Sequence, residues 1–303
     1  MDGVLVIDKP AGPTSHDVVA AIRPFVRPAR VGHTGTLDPA ATGALALCIG
    51  AATRLARFLA GEVKRYSGEI TLGATTDTYD GSGRVMDRAP IDGITRKMVA
   101  EAAASFLGTS HQAPPPWSAK KVAGKRAYHL ARRGEPAALA PCAVRIDRFD
   151  ILGLEEGRAS FEVVCSGGTY VRSLAHDIGR RLGCGAHLAA LRRSSTGAFG
   201  VGDALSLEAA VQAGAAGSLS AHVLPLESLD LGIGTARLTE RGASLASAGR
   251  VVEASDLEGT PDLVPGSFLR LLACDGSVLG VAEVSEVGRP SLQPRIILSR
   301  EVS

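Results

Sequence analysis

The chain has 303 residues, 45% of them hydrophobic and 21% charged, a balance that fits one large domain or two smaller ones and excludes wholesale disorder. Its 36 glycines and 16 prolines follow no three-residue period, so a collagen-like chain is excluded, and the apolar run Ala44 to Ile49 is far short of the roughly 20 residues a membrane helix needs. The net charge of only +2, from 33 basic and 31 acidic residues, leaves nucleic-acid binding to be judged from where the charges lie.

In chain order, Gly3 to Asp8 reads as a short strand closed by the turn cluster Lys9-Pro10-Ala11-Gly12-Pro13. Thr14 or Ser15 then caps a helix with Val18, Val19 and Ile22 on one face. Val31 to Gly43 is rich in Gly, Thr and Pro; beyond the apolar run a helix is expected from about residue 51 to 60, stopped by Gly61. Lys64 to Leu72 reads as extended, Asp80-Gly81-Ser82-Gly83 as a turn, and Thr95 as the cap of a helix running to about Leu107. Residues 142–149 and 158–165 alternate as the strands of a hairpin do, and Thr169 to Leu182 is helical with Gly183 as its stop. The stretch 209–220, rich in Ala, Gly and Ser, reads as a connector. From about residue 235 short apolar segments separated by Gly, Pro and Asp predict a small all-β module, with a boundary between 225 and 236.

The N-terminal segment is too short and too acidic for a signal peptide, and a cytoplasmic protein without a membrane span is expected. The five cysteines never form C-x-x-C, so neither a disulfide framework nor a zinc knuckle is readable. No P-loop, G-x-S-x-G or H-E-x-x-H occurs, and the seven histidines show no i, i+4 pairing, so no metal and no cofactor is expected. Trp117 to Arg133 holds Lys120, Lys121, Lys125, Arg126, Arg132 and Arg133 without one acid and interleaves Trp117, Tyr128 and His129, a pattern suited to phosphate contact with base stacking. Arg23, Arg27, Arg30 and the pair Arg192-Arg193 add further basic patches. The loop Gly32-His33-Thr34-Gly35-Thr36-Leu37-Asp38-Pro39 fits a plain Asp-Pro turn. It also fits a carboxylate fixed beside glycines that let a ligand approach the backbone.

That loop, continued as GHTGTLDPAATG, resembles the catalytic motif of the TruB family, the bacterial tRNA pseudouridine synthases that act on the T-loop uridine-55. DGVLVIDKPAGPTSHD, KRYSGEITLGATTDTYDGSG, PPPWSAKKVAGKRAYHLARRGE and CSGGTYVRSLAHDIGRRLGCGAHLAALRR resemble further family segments, in the family's order, over roughly residues 3 to 200. The resemblance implies an α+β pseudouridine synthase fold, a mixed and largely antiparallel sheet flanked by helices, followed by a small β-rich PUA-like domain. The implied domains are 1–230, with a basic RNA-binding segment at 114–135, and 236–303. Asp38 is implied as the catalytic carboxylate. The resemblance likewise implies Arg172 as its partner, Tyr66 as the tyrosine that stacks on the base, Tyr170 and Leu191 as residues lining the uridine pocket, and Asp80 as an acid at the site's edge. His33 helps to displace the uridine from its loop, and the basic side chains from Lys120 to Arg133 hold the RNA backbone. The implied partner is the T arm of tRNA, bound by a monomer with no obligate protein partner. Two rivals are a non-catalytic tRNA-binding chaperone and a guide-RNA-dependent synthase subunit. Retention of Asp38, Tyr66 and Arg172 together argues against the first, and the absence of long basic tails against the second.

Overall fold

The computed structural model describes residues 1–61, 63–117, 140–259, 261–285 and 290–298, with the backbone of 121–122 and 125–126. The apolar N-terminal run forms β1 (Gly3–Lys9), and Thr14 caps α1 (Ser15–Val26) through a reciprocal pair with Asp17, the Thr14 hydroxyl accepting from the Asp17 amide and the Asp17 carboxylate from the Thr14 amide. Two strands follow, β2 (Val31–His33) and β3 (Thr42–Ile49). The helix expected at 51–60 is a 3-10 segment, Gly50–Leu55, that relaxes into the single turn α2 (Ala56–Leu59). Gly61 ends it in the left-handed region, packed so closely on Gly197 that an added Cβ would lie 2.4 Å from the Gly197 Cα.

Next come β4 (Val63–Leu72), the small pair β5 (Ala74–Thr76) and β6 (Val85–Arg88), α3 (Arg96–Ala104) capped by Thr95, β7 (Gly108–Gln112), and the short pair β8 (Lys121–Val122) and β9 (Lys125–Arg126). The hairpin is longer on its first arm than the alternation suggests: β10 (Cys142–Glu155) against β11 (Arg158–Ser166), with two register shifts. The helix α4 (Val171–Leu182) ends at Gly183 in the left-handed region. It leads into β12 (Ala186–Thr196), β13 (Phe199–Gly200), β14 (Leu205–Ser206), α5 (Leu207–Ala215) and β15 (Leu224–Pro225).

Apart from the separate pairs β5-β6 and β8-β9, these strands build one sheet with the order β14-β1-β3-β12-β4-β11-β10-β7, in which β2 joins β3, β13 joins β12 and β15 joins β1. Most neighbours are antiparallel; β1 with β14 and β3 with β12 are parallel. On one side α3 and α4 close a core around Ile70, Phe161 and Ile178, and on another α1 and α5 cover Leu5, Ile7 and Leu45. The stretch read as a connector is therefore partly helix, capped by Ser206 and with Ala210 fully buried. Its small residues are packing devices: a Cβ on Gly214 would fall 2.4 Å from the Phe25 ring, so only glycine lets α5 lie this close to α1.

The remaining strands form a second sheet. They are β16 (Gly234–Leu238), β17 (Val252–Glu253), β18 (Leu257–Glu258), β19 (Phe268–Leu272), β20 (Val278–Val284) and β21 (Ser291–Ile297), in the order β17-β21-β20-β19-β16-β18. The module is not all β, because α6 (Glu240–Ser247), capped by Thr239, packs on it. The two sheets share an apolar cluster that joins Val4, Ala46 and Leu59 to Leu229, Leu231 and Val281. At its edge Phe268 meets Phe58 edge-on, with ring centroids 5.5 Å apart, and Arg57 lies over both rings.

Candidate active site

The loop between β2 and β3 is held from three sides. Ser15, the first residue of α1 and buried, accepts from the Leu37 amide at 2.9 Å and donates to the Leu37 carbonyl at 3.1 Å. Gly12 donates its amide to the Pro39 carbonyl. Lys9, at the end of β1 and 0% exposed, donates its ammonium to the carbonyls of Pro10, Pro39 and Ala41 at 2.8–3.0 Å. A buried cation with three acceptors replaces the water it has lost, and here it ties the turn after Asp38 to the sheet. Burial holds the Lys9 ammonium below the ordinary lysine range, while nearby Asp38 pulls it back up.

Asp38 faces Arg172 on the first turn of α4. Arg172 Nε stands 2.8 Å from Asp38 Oδ2 and Nη2 3.2 Å from Oδ1, a two-point grip. The same guanidinium donates to the Thr78 and Trp117 carbonyls, each at 3.0 Å, and reaches Asp80 Oδ2 at 3.5 Å. Arg172 is 7% exposed, so its orientation leaves little freedom for the carboxylate it holds. Asp38 keeps a 42% exposed side chain, and its partial burial pushes the carboxyl above the ordinary carboxylate range; Arg172 pulls it down and Asp80 adds to the upward push. The pairing implied by the family resemblance is thus present, but it does not overcome burial. Asp80 is set in turn by its own loop, its Oδ1 accepting from the Thr78 hydroxyl at 2.8 Å and the Ser82 amide at 3.0 Å.

Sheet register brings in the rest. Tyr66 on β4 lies directly opposite Arg193 on β12, and Gly68 opposite Leu191, so these side chains share one face, with Lys64 two residues from Tyr66 on that same face. Asp38, Lys64, Tyr66, Tyr170, Arg172 and Leu191 line one cavity of about 230 Å³. A neighbouring cavity of about 290 Å³ shares Asp38, Arg172 and Leu191 and adds Asp80. Tyr170 is placed by Gln112 at the end of β7, whose amide oxygen accepts from the Tyr170 N–H at 2.7 Å while its nitrogen donates to the Tyr170 carbonyl at 3.0 Å. Burial pushes the Tyr66 phenol up, and Arg193 pulls it down. His33 sits on β2 opposite Leu47; it is not among the residues lining either cavity, and its Nδ1 is buried without a partner among the described residues.

Of the basic segment, Lys120, Arg132 and Arg133 lie outside the described residues. Lys121, Lys125 and Arg126 are described as backbone only, on the paired strands β8 and β9. Trp117, where that segment begins, gives its carbonyl to Arg172. Of the basic pair Arg192-Arg193, Arg192 stays partly exposed and Arg193 does not. Arg192 grips Asp8 at 2.9 and 2.7 Å, and Arg193 is 1% exposed, donating to the carbonyls of Ala44 and Gly35. Lys9, Ser15, Lys64, Gln112 and Arg193 were not read from the sequence as site residues. The signal that could have found Arg193 is its two-residue spacing from Leu191 on a strand.

The TruB family pseudouridylate synthase N-terminal domain matches residues 23–171, and the tRNA pseudouridylate synthase B C-terminal domain matches residues 172–229. The tRNA pseudouridine synthase B of Opitutus terrae is 46% identical over 209 residues, 69% of this chain and 87% of that protein. The tRNA pseudouridine synthase B of Solibacter usitatus is 39% identical over 284 residues, 94% of this chain and 96% of that protein. Among solved structures, a chain from a Cbf5-Nop10-Gar1 complex shares the fold with a TM-score of 0.75 at 23% identity, over 98% of this chain and 85% of that one. A carboxylate gripped by a buried arginine, in a cleft walled by two tyrosines and a leucine, therefore stands in a chain that belongs to the TruB family of pseudouridylate synthases.

Proposed function

We propose that the chain isomerises the T-loop uridine-55 of tRNA to pseudouridine, as a stand-alone enzyme whose cleft takes the uridine after it has left its stack. The observation that carries this reading is the Asp38–Arg172 pair at 2.8 Å on the wall of a cavity also lined by Tyr66, Tyr170 and Leu191, in a member of this family. The reaction breaks the bond from C1′ to N1, turns the uracil while it stays bound, and joins C5 to C1′; the C5 proton leaves and N1 gains one, so no atoms are gained or lost. A carboxylate at this place serves as a nucleophile at C1′, as a nucleophile that adds to the base, or as the base that takes the C2′ proton to give a glycal. All three uses need Asp38 ionised and aimed, which is what Arg172 supports.

Extracting a base from a folded loop costs a few kcal/mol. Stacking on Tyr66 offsets roughly 1–3 kcal/mol of that, and phosphate contacts from the basic side chains Lys120, Lys121, Lys125, Arg126, Arg132 and Arg133 supply more. His33, on β2 and outside the lining of both cavities, is the residue that helps to displace the uridine from its loop. The test is release of tritium from a guide-free, unmodified tRNA transcript carrying [5-³H]uridine, followed by mapping of the modified position. Release with pseudouridine at position 55 is expected. No release, or release that requires an added guide RNA, overturns the reading.

A further inference from the structure

Arg172 lines the cleft, and Arg192 and Arg193 follow Leu191 along β12; two of the three have carboxylate partners, Arg172 with Asp38 and Asp80, and Arg192 with Asp8. Arg193 has none among the described residues. Two of its nitrogens donate to the carbonyls of Ala44 and Gly35, its guanidinium lies close enough to the Tyr66 phenol to draw it down, and its buried Nη1 has no partner within normal hydrogen-bond geometry among the described residues. A second cation lies beside it. An ideal Cβ on Gly35 would stand 3.3 Å from Lys64 Nζ and 3.5 Å from Arg193 Nη1, so both groups converge on the open face of this glycine. Lys64 also has no ion-pair partner among the described residues, and it lines the cavity that holds Asp38 and Tyr66. Burial and the adjacent Arg193 hold its ammonium below the ordinary lysine range. Like charges placed together out of water are unfavourable unless an anion joins them.

We propose that Lys64, with the buried Arg193 behind it, binds one of the two phosphodiester groups that flank the target uridine. The inference rests on the reading of the cleft as the uridine site. The ligand is the nucleic-acid backbone and not the base, because a phosphodiester carries a full negative charge before any chemistry begins and every RNA nucleotide delivers one on each side of its sugar. Gly35 keeps the approach open: any larger side chain there would press on the ammonium that makes the contact. Lys64 is thus a binding residue for the backbone, and Arg193 a positioning residue that acts through it.

The test uses a T-arm stem-loop in which the linkage on the 5′ or the 3′ side of the target uridine is a neutral methylphosphonate. A 2′-fluoro sugar beside it stabilises the linkage and is also present in the charged control. Equilibrium binding is read in the full-length protein carrying Asp38→Asn, so that no turnover intervenes, with and without Lys64→Gln. One charge-assisted contact is worth about a tenfold loss in affinity. The neutral linkage on one side and Lys64→Gln should each weaken binding about tenfold, and the two together should weaken it no further. Losses that multiply to roughly a hundredfold on both sides overturn the proposal, as does a Lys64→Gln variant with unchanged affinity, whatever its single-turnover rate when Asp38 is restored. Arg193→Lys should retain the non-additivity and Arg193→Met lose it. If the Met variant does not fold, the Lys64 cycle alone decides. A chain that binds and modifies tRNA yet shows additive losses refutes the phosphate site and leaves the proposed activity standing.

Discussion

The two sheets bury charge in different ways. The larger one encloses Lys9, Arg172 and Arg193, whereas the buried charged residue of the smaller one, among the described residues, is Asp256. Asp256 closes a local turn: its carboxylate accepts from the Glu253 amide three residues away and meets the largely exposed Arg241 at 3.5 Å. Arg172 instead gathers Asp38, Thr78 and Trp117, which are 134, 94 and 55 positions distant. A short-range buried charge serves the fold of its own segment. One that collects partners from three separate segments has a desolvation cost that local structure does not require, and such sites are where perturbed carboxylates do chemistry.

The sharpest break of this comparison is Asp38→Asn. Turnover should fall below detection in a tritium-release assay while tRNA affinity stays within about tenfold, because binding is spread over many phosphate contacts. Asp256→Asn should leave turnover unchanged and lower stability by about 1 kcal/mol, read by urea denaturation, since one capping contact is weakened.

Arg172→Gln should cost about 3 kcal/mol of stability, because it leaves Asp38, Asp80 and two carbonyls without their donor. It should also move the acid limb of the single-turnover rate to higher pH. Arg172 is the group that pulls the Asp38 carboxyl down, so without it burial and Asp80 raise that carboxyl further, and the ionised form needed for chemistry appears only at higher pH. Asp80→Asn removes an upward push and should move the same limb to lower pH. Limbs that shift together, or not at all, would detach Asp38 from the rate.

Lys9→Met tests whether the loop after Asp38 is held by the buried ammonium. With three carbonyls left unsatisfied, stability should drop by about 2 kcal/mol, and the single-turnover rate should fall more than the affinity. Phe268→Ala, at the junction of the sheets, should cost about 2 kcal/mol and leave turnover on an isolated T-arm hairpin unchanged. The smallest effect belongs to Arg295→Gln. Its pair with Glu283 is 2.7 Å long but about half exposed, and the loss should be roughly 0.5 kcal/mol or less.

How much of this was legible in the residues differs from element to element. β1, α1, β4 and α4 follow from apolar periodicity with a cap or a glycine stop, because their burial comes from a pattern each segment carries itself. The central strand β12 was not readable as one. AHLAALRRSST has no clean alternation, since two register shifts turn its side chains between faces and one of its arginines is buried by β3 and β4 rather than by its own neighbours. α5 carried a Ser206 cap, but its Ala and Gly content resembles a linker until Phe25 is packed against Gly214.

The site divides along the same line. Residue types and order determined the family resemblance, and with it Asp38, Tyr66, Tyr170, Arg172 and Leu191 as candidates, because chemistry-bearing residues stay in recognisable local strings. Only the tertiary structure decided that Lys9 is a buried clamp and not a turn residue. The same holds for Arg193, which stands opposite Tyr66 without an acid, and for Asp38, whose carboxyl is raised despite Arg172. Protonation and pairing depend on which distant groups share one partly desolvated cleft, and that cleft exists only once β4, β12, α4 and the loop from β2 to β3 have come together.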